Sequence, residues 1–517
     1  MATARDVRAF PSEMTLLLGL LIVAVMLDSV AVVYFFSRNE DKSVSAITGG
    51  LLALLMPGLI TSAVINKRRR RNTVPLRNSP FPDAAKFIEK MVQEARLRIA
   101  PELLFGANMG NRAFVAGKAN KSYLAVGPEL LALRGKNQQA RRAFEAVIRH
   151  EIAHLNSKDL RSYYLVTVLR VCNIYTGIRG VNYLALHTET DRDVVWLEYV
   201  RIMLLVLIVE LVARAFLRAR EHYADLHAAQ ADLQGMLAAL TSDRLELERK
   251  QMRGWRTWIA CHPSRASRVA ALLEPGWLLT SSPGYLFLGA TFAGVALQTV
   301  QDMLIRFTHP DIAPKTPMIS ALLVGVPLTV FVAFGIWRET WHAAWLRRAP
   351  RTLAVAGGVT GGLLLGSYLA PFTIMATEAG IKSGIPLAWT TMLTLATGMF
   401  ALCYWLATLG AGWYRRDPDA LAITRFHWFA VPVAGIVGGW VFVVVWTWCV
   451  VLMAFGFVCG QETARTVRNC TLPHSELHIA QEMIAEFVDG SMFLVLALAV
   501  GALVLAKTRN PSSTRHS

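Results

Sequence analysis

The stretch "RHEIAHLNSKD", residues 149–159, sets two histidines four positions apart with a glutamate beside the first. On an α-helix, positions i and i+4 project from one face a turn apart, so His150 and His154 can direct imidazole nitrogens at one ion. Glu151 then lies round the helix, close to the ion but off it, where a carboxylate can take a proton from a metal-held water and pass it to a leaving amine. The same letters also fit a plain polar helix in a membrane protein. The surrounding sequence decides between a zinc-dependent peptidase domain and that helix.

Two imidazoles hold zinc weakly, and a hydrolytic site needs three protein ligands with a fourth position open. Downstream candidates are Asp159, Glu189, Glu198, Glu210, Glu221 and His222. Asp159 is too close along the same helix to wrap back. Glu189 falls in a short acidic loop, and Glu198 and Glu210 sit inside an apolar run. Glu221 opens "EHYAD" where that run ends, and the reading favours it as the third ligand. Asp225, one turn further, is placed to accept a hydrogen bond from a ligand histidine and fix its tautomer. Without the motif upstream, a solvated charge at a membrane edge is the plainer reading of Glu221.

The chain of 517 residues is 54% hydrophobic and only 17% charged, which is too apolar for an ordinary soluble protein. It reads as a multi-pass α-helical membrane protein. The 53 Lys+Arg against 36 Asp+Glu cluster beside apolar runs rather than on one polar domain, so they read as topology signals and no nucleic-acid partner is expected. Cys172, Cys403 and Cys449 lie in apolar stretches and read as buried neutral thiols.

Apolar runs at 13–36 and 43–65 are each long enough to cross a bilayer, and the second ends in "NKRRRRN" with Lys67 and Arg68–Arg71. Asp28 inside the first run calls for a partner in the helix bundle. A polar domain follows from 72, broken by a hairpin of apolar helices at about 162–216, and the extended stretch "SYLAVGPELL" precedes the motif helix. Six more runs lie near 284–301, 317–337, 352–375, 386–408, 428–457 and 487–506. The basic loops 338–351 and 409–427 and the basic tail after Lys507 fall on one side if spans alternate. The expectation is about ten spans in the plasma membrane, with the peptidase domain and both termini cytoplasmic. The 458–484 loop lies outside, where Cys459 and Cys470 can form a disulfide. The expected domains are 1–71 with two spans, 72–280 as the peptidase domain and 281–517 as a six-span domain of unassigned role.

The pattern His150-Glu151-x-x-His154, a membrane hairpin, then Glu221-x-x-x-Asp225 resembles the HtpX-type membrane zinc metallopeptidases, relatives of the CAAX prenyl proteases. "HLNSKD" is similar to that family's extension after the second histidine. "RAFVAG", 112–117, is similar to its substrate-cleft strand, although Arg112 stands where the family has asparagine. "HPSRASRV", 262–269, looks like its His-Pro-Pro segment followed by arginine, with Ser264 in place of the second proline. The resemblance covers roughly residues 15–275. It implies a gluzincin-like α+β catalytic domain with Zn2+ held by His150, His154 and Glu221, Glu151 as catalytic base and Asp225 behind the ligands. It also implies that Ala113, Phe114 and Val115 bind an extended protein or peptide substrate; His262 is a candidate donor to the oxyanion, a role such sites need, and a plain turn at His-Pro fits that segment equally.

Two rival readings remain. In an intramembrane protease the motif lies within an apolar span, but here Arg141, Arg142, Arg149, Lys158, Asp159 and Arg161 flank it, at ~2.5 kcal/mol or more each in lipid. A membrane sensor or transporter-like protein with an inactive peptidase domain would account for the six extra spans. Nothing in the sequence indicates the oligomeric state.

Overall fold

A computed structural model describes residues 73–118, 121–156, 159–186, 192–241, 262–279, 283–307, 315–346, 348–369, 385–414, 420–461 and 497–504, with isolated positions before 73. The expected first two spans, Asp28, most of Lys67–Arg71, Cys470 and most of the sixth C-terminal run fall outside the described residues, whereas Cys459, expected in a loop, falls within the helix Ala420–Gln461. The chain divides into two compact units, one within Ser12–Tyr183 and Val206–Leu278, the other within Leu184–Leu205 and Leu279–Ser517.

The first unit holds a four-stranded sheet: β1 (Val74–Pro75), β2 (Glu102–Phe105), β3 (Ala113–Lys118) and β4 (Lys121–Val126), in the order β1-β2-β4-β3. β4 runs parallel to β2 and antiparallel to β3, with Leu124 opposite Leu103 on one side and Val115 on the other. Its residues Tyr123 to Val126 are all buried, as a strand covered on both faces requires. β3 therefore forms an edge of the sheet.

Helix α1 (Pro82–Glu94) starts with proline at its first turn and Asp83 against the positive end of the dipole. Its Ala84, Ile88, Met91 and Val92 turn one face to the core. "SYLAVGPELL" was expected to be extended, yet only its first half is strand. Pro128, its φ preset for a helical first turn, opens α2 (Pro128–Leu133). Helix α3 (Gln138–Asn156) carries the motif, and the Asn137 side chain caps it by accepting from the Ala140 N–H at 2.8 Å. Phe144, Ile148 and Ile152 recur every four residues and enter the core beside Leu124 and Val126. A second face of α3, with His150, Glu151 and His154, is buried as well.

Helices α4 (Asp159–Leu186) and α5 (Arg192–Ala229) form the hairpin, longer at both ends than the apolar pattern indicates. Asp159 begins a helix of its own rather than continuing the motif helix. The sequence "LRAREHYADLHAA", rich in strong helix formers, carries α5 past the end of the apolar run. Helix α6 (Leu233–Thr241) packs on α3, and α7 (Arg265–Leu273) packs on α6. Ser264, which departs from the expected proline, is the N-cap of α7 and accepts from the Ser267 N–H at 3.2 Å.

The second unit is helical: α8 (Pro283–Phe307), α9 (Thr316–Trp345), α10 (Thr352–Leu369), α11 (Ile385–Tyr414) and α12 (Ala420–Gln461). Among the described residues, five segments, 283–301, 316–344, 352–369, 392–413 and 428–447, are long and apolar enough to cross a membrane, matching five of the six expected C-terminal runs. Helices α4 and α5, which carry charges within their apolar stretches, are not among the five. α8 and α10 meet backbone to backbone: a Cβ on Gly362 would stand 2.2 Å from the Phe287 carbonyl oxygen, and one on Gly366 1.9 Å from that of Thr291. Small residues at this spacing are how membrane helices approach closely where no hydrophobic effect drives them together.

Candidate metal and catalytic centre

Helix α3 supplies His150, Glu151 and His154 within one turn and a half, and α5 supplies Glu221 and Asp225. All five are buried. His150 Nε2 lies 3.6 Å from Glu221 Oε2, and His154 Nε2 lies 3.6 Å from Glu221 Oε1. One ligand atom from each of His150, His154 and Glu221 fits within a 4.8 Å span. A tetrahedral ion with bonds of ~2.1 Å needs ligand atoms ~3.4 Å apart, so the donor set and its spacing suit zinc. Two imidazoles with a carboxylate are also a common zinc set by chemistry.

Behind these three candidate ligands lies a second arrangement. His150 Nδ1 is 2.8 Å from Asp225 Oδ1, an ion-pair distance whose direction departs from the ring's N–H line. Asp225, 1% exposed, accepts two hydrogen bonds from Arg268, Nε to Oδ2 and Nη2 to Oδ1, each 2.6 Å. Arg268 stands on the helix that Ser264 caps, so that cap helps fix the guanidinium. Ser267 Oγ, on the same helix, lies 3.4 Å from His222 Nε2. His262 comes to 3.4 Å of Glu221 Oε2 through Nδ1, with its side chain 63% exposed.

Burial and neighbouring charges set the protonation of the side chains. Burial draws the His150 imidazole down, but Asp225 and Glu221 more than offset it and hold it at about 10. Burial drives the Glu151 carboxyl up to about 7, against the pull of His150 and a backbone hydrogen bond from Val115 on β3. Burial also works against ionised Glu221, yet His150 and His262 hold it well below the usual carboxylate range. Asp225 is likewise lowered, because Arg268 and then His150 outweigh its burial. His222 is pushed down to about 4, chiefly by burial, and stays neutral.

Of the residues singled out in the sequence, the structure brings together His150, Glu151, His154, Glu221, Asp225 and His262, and Val115 of the edge strand hydrogen-bonds to Glu151. Glu189 is outside the described residues. Glu210 is not at the centre but accepts hydrogen bonds from Arg170 and Arg214. The grip of Arg268 on Asp225 went unassigned in the sequence. Its only signal was the arginine that ends the "HPSRASR" segment.

Residues 79–275 match the model of peptidase family M48. Neither a curated protein nor a solved structure matches the chain. The family match runs from just before α1 to just past α7 and leaves α8–α12 outside, while it takes in α3, α5 and the edge strand; over residues 79–275 the chain is similar to peptidase family M48, which together with the apolar helices supports a membrane-associated metallopeptidase.

Proposed function

We propose that the protein is an integral membrane zinc-dependent endopeptidase that hydrolyses peptide bonds of membrane or misfolded proteins. The observation that carries this reading is the meeting of His150, His154 and Glu221 within one ligand-sized span, with Glu151 on the same helix turn beside β3. Zinc, when bound, supplies a Lewis acid that polarises the scissile carbonyl and makes water acidic enough to deprotonate near neutral pH. His150, His154 and Glu221 would hold it.

Glu151 is the base. Burial places its carboxyl near 7, the range in which it can take a proton at neutral pH and give it back to the leaving amine. An extended substrate pairs with the free side of β3 along Ala113, Phe114 and Val115, which fixes its backbone before attack. The hydrogen bond from Val115 to Glu151 ties that strand to the base. His262, exposed next to Glu221, is positioned to donate to the oxyanion as charge develops there. Asp225, held by Arg268, orients His150.

The peptidase domain covers 72–280 and is interrupted by the hairpin of about 162–216, after two N-terminal spans in 1–71 and before a six-span domain in 281–517. The basic loops of the sequence support about ten spans in the plasma membrane, with the catalytic domain and both termini cytoplasmic. The test is elemental analysis and proteolysis of purified wild type, Glu221→Ala and Glu151→Gln. About one zinc per chain is expected in wild type and in Glu151→Gln, with sharply less in Glu221→Ala. Cleavage of an unfolded protein is expected from wild type alone, and wild-type rates from Glu151→Gln would overturn the mechanism.

A further inference from the structure

We propose that the hairpin sets a minimum distance between the membrane and the scissile bond, so that this peptidase cuts membrane-anchored proteins only where the chain has emerged about five residues or more from the bilayer on the side of the peptidase domain. The inference rests on the endopeptidase reading above and adds the substrate class and the reach of its site.

The argument starts from a belt of charge. Glu210 on α5 accepts from Arg170 Nε of α4 at 2.8 Å and from Arg214 Nε, one turn along α5, at 2.6 Å. These three side chains are partly exposed, at 25%, 18% and 22% for Arg170, Glu210 and Arg214. Between this belt and the hairpin tip the usual arrangement of a water-soluble helix pair is inverted. Asn173 is buried and donates to the Val206 carbonyl across the pair at 3.2 Å, while Arg201, also buried, lies over the Tyr368 ring of α10, 5.2 Å from its centroid. Large apolar side chains are exposed instead: Ile174 and Ile178 on α4, with Val200, Met203, Leu204 and Leu207 on α5. The last four follow the spacing i, i+3, i+4, i+7, one stripe of one helix. Polar inside with apolar outside is the pattern that lipid selects.

The lengths agree. From Arg170 to Leu186 the helix rises ~24 Å and from Arg192 to Glu210 ~27 Å, close to the ~30 Å of a hydrocarbon core. The connecting sequence "HTETD" is polar, as the far water boundary requires. Arg179, also exposed, lies ~10 Å short of the end of α4, within reach of that far interface for a snorkelling side chain. The belt then marks the near boundary, where guanidinium and carboxylate meet headgroups and water.

Glu221 stands on the same unbroken helix as Glu210, ~17 Å further along at ~1.5 Å per residue. An extended substrate covers ~3.3 Å per residue, so about five residues are needed to climb from the boundary to the metal centre. A bond nearer the membrane cannot reach it without unfolding the hairpin.

The test uses full-length zinc-loaded protein in liposomes with a series of single-span substrates. All carry one unstructured cleavable segment, joined to the span by Gly/Ser spacers from none to about fifteen residues. Cut sites are mapped by mass spectrometry, and the same segment is supplied as a soluble peptide. The expected result is cleavage of the soluble peptide and of anchored substrates only at bonds about five or more residues from the span. Cuts within two residues of the span would overturn the distance rule while leaving the endopeptidase reading intact. Failure to cut the soluble peptide and every anchored substrate would sink the endopeptidase reading and the rule with it. A second measurement is independent of activity: spin labels at Ile178, Leu207 and Arg218, read by oxygen against a nickel chelate. Labels at 178 and 207 are expected to meet oxygen and exclude the chelate, with the reverse at 218. Equal chelate access at 207 and 218 would remove the boundary from the belt.

Discussion

Replacing Arg268 by alanine is the perturbation that best separates a working metal centre from a collection of buried charges. The guanidinium makes two 2.6 Å hydrogen bonds to Asp225, and both groups are largely out of water, with 20% and 1% of their side chains exposed. Removing one partner of such a pair strands the other charge, at a cost of about 3–5 kcal/mol, and the residual exposure of Arg268 puts this case at about 3. Asp225 would then rise toward its neutral form and release His150, whose Nδ1 it faces at 2.8 Å. Loosening a ligand in this way lowers metal affinity by about 10- to 100-fold. The assays are thermal unfolding with zinc removed and competition against a chelator of known affinity, both in detergent. The double variant Asp225→Asn with Arg268→Met removes both charges. Much of the stability should return while zinc affinity stays low, because the orientation of His150 is still lost. Arg268→Ala with unchanged zinc affinity would refute the reasoning, whatever it did to the melting point.

Three further outcomes follow from the same geometry. Zinc binding should strengthen with pH by up to about tenfold per unit below pH 10, because His150, held at about 10, must give up a proton to become a ligand; calorimetry in buffers of different ionisation heat should count about one proton released, and a flat profile would contradict it. Without metal, Glu151 has its folded pKa raised above the unfolded value, so its burial costs nothing below about pH 4.5 and increasingly more as pH rises through 7. A carboxyl held near 7 rather than 4.5 corresponds to about 3 kcal/mol, so zinc-free Glu151→Gln should gain up to that much stability over wild type between pH 4 and pH 8 in denaturation curves. Gly366→Val should cost about 3 kcal/mol or more by forcing α10 off α8, lowering the melting temperature in detergent without changing zinc per chain.

The motif helix was legible because two periodicities coincide in it. Phe144, Ile148 and Ile152 mark one buried face and His150 with His154 another, and both recur every four residues. Glu221 could be reached by elimination, since apolar runs and loops removed its rivals. Residue pairs far apart in sequence were not legible. Arg268 meets Asp225 across 43 positions and Arg170 meets Glu210 across 40, and no local spacing announces either. The same blindness made Glu210 look like a charge stranded in an apolar run, when two arginines hold it. "PELL" misled for a different reason: four residues with one polar member fit strand or helix alike, and Pro128 at a helix start decides it.

His150, His154 and Glu151 arrive together on α3, whereas Glu221 comes on α5 after the whole hairpin, so the centre is built from two helices brought side by side. Two carboxylates that stay ionised, Glu221 and Asp225, would repel each other there. Arg268 neutralises one of them, and a protonated His150, within 3.6 Å of Glu221 and 2.8 Å of Asp225, answers the other. The proton on His150 thus does for the side chains alone what the metal would do, and the centre closes on itself in either state. His150, His154 and Glu221 would hold a dication only once His150 has given up that proton, and Asp225, still held by Arg268, would then accept a hydrogen bond from the neutral imidazole. On the proposed reading, loading would exchange one proton for one metal ion rather than fill an open cage. The pH dependence of zinc binding and the loss of affinity in Arg268→Ala test the two halves of that exchange.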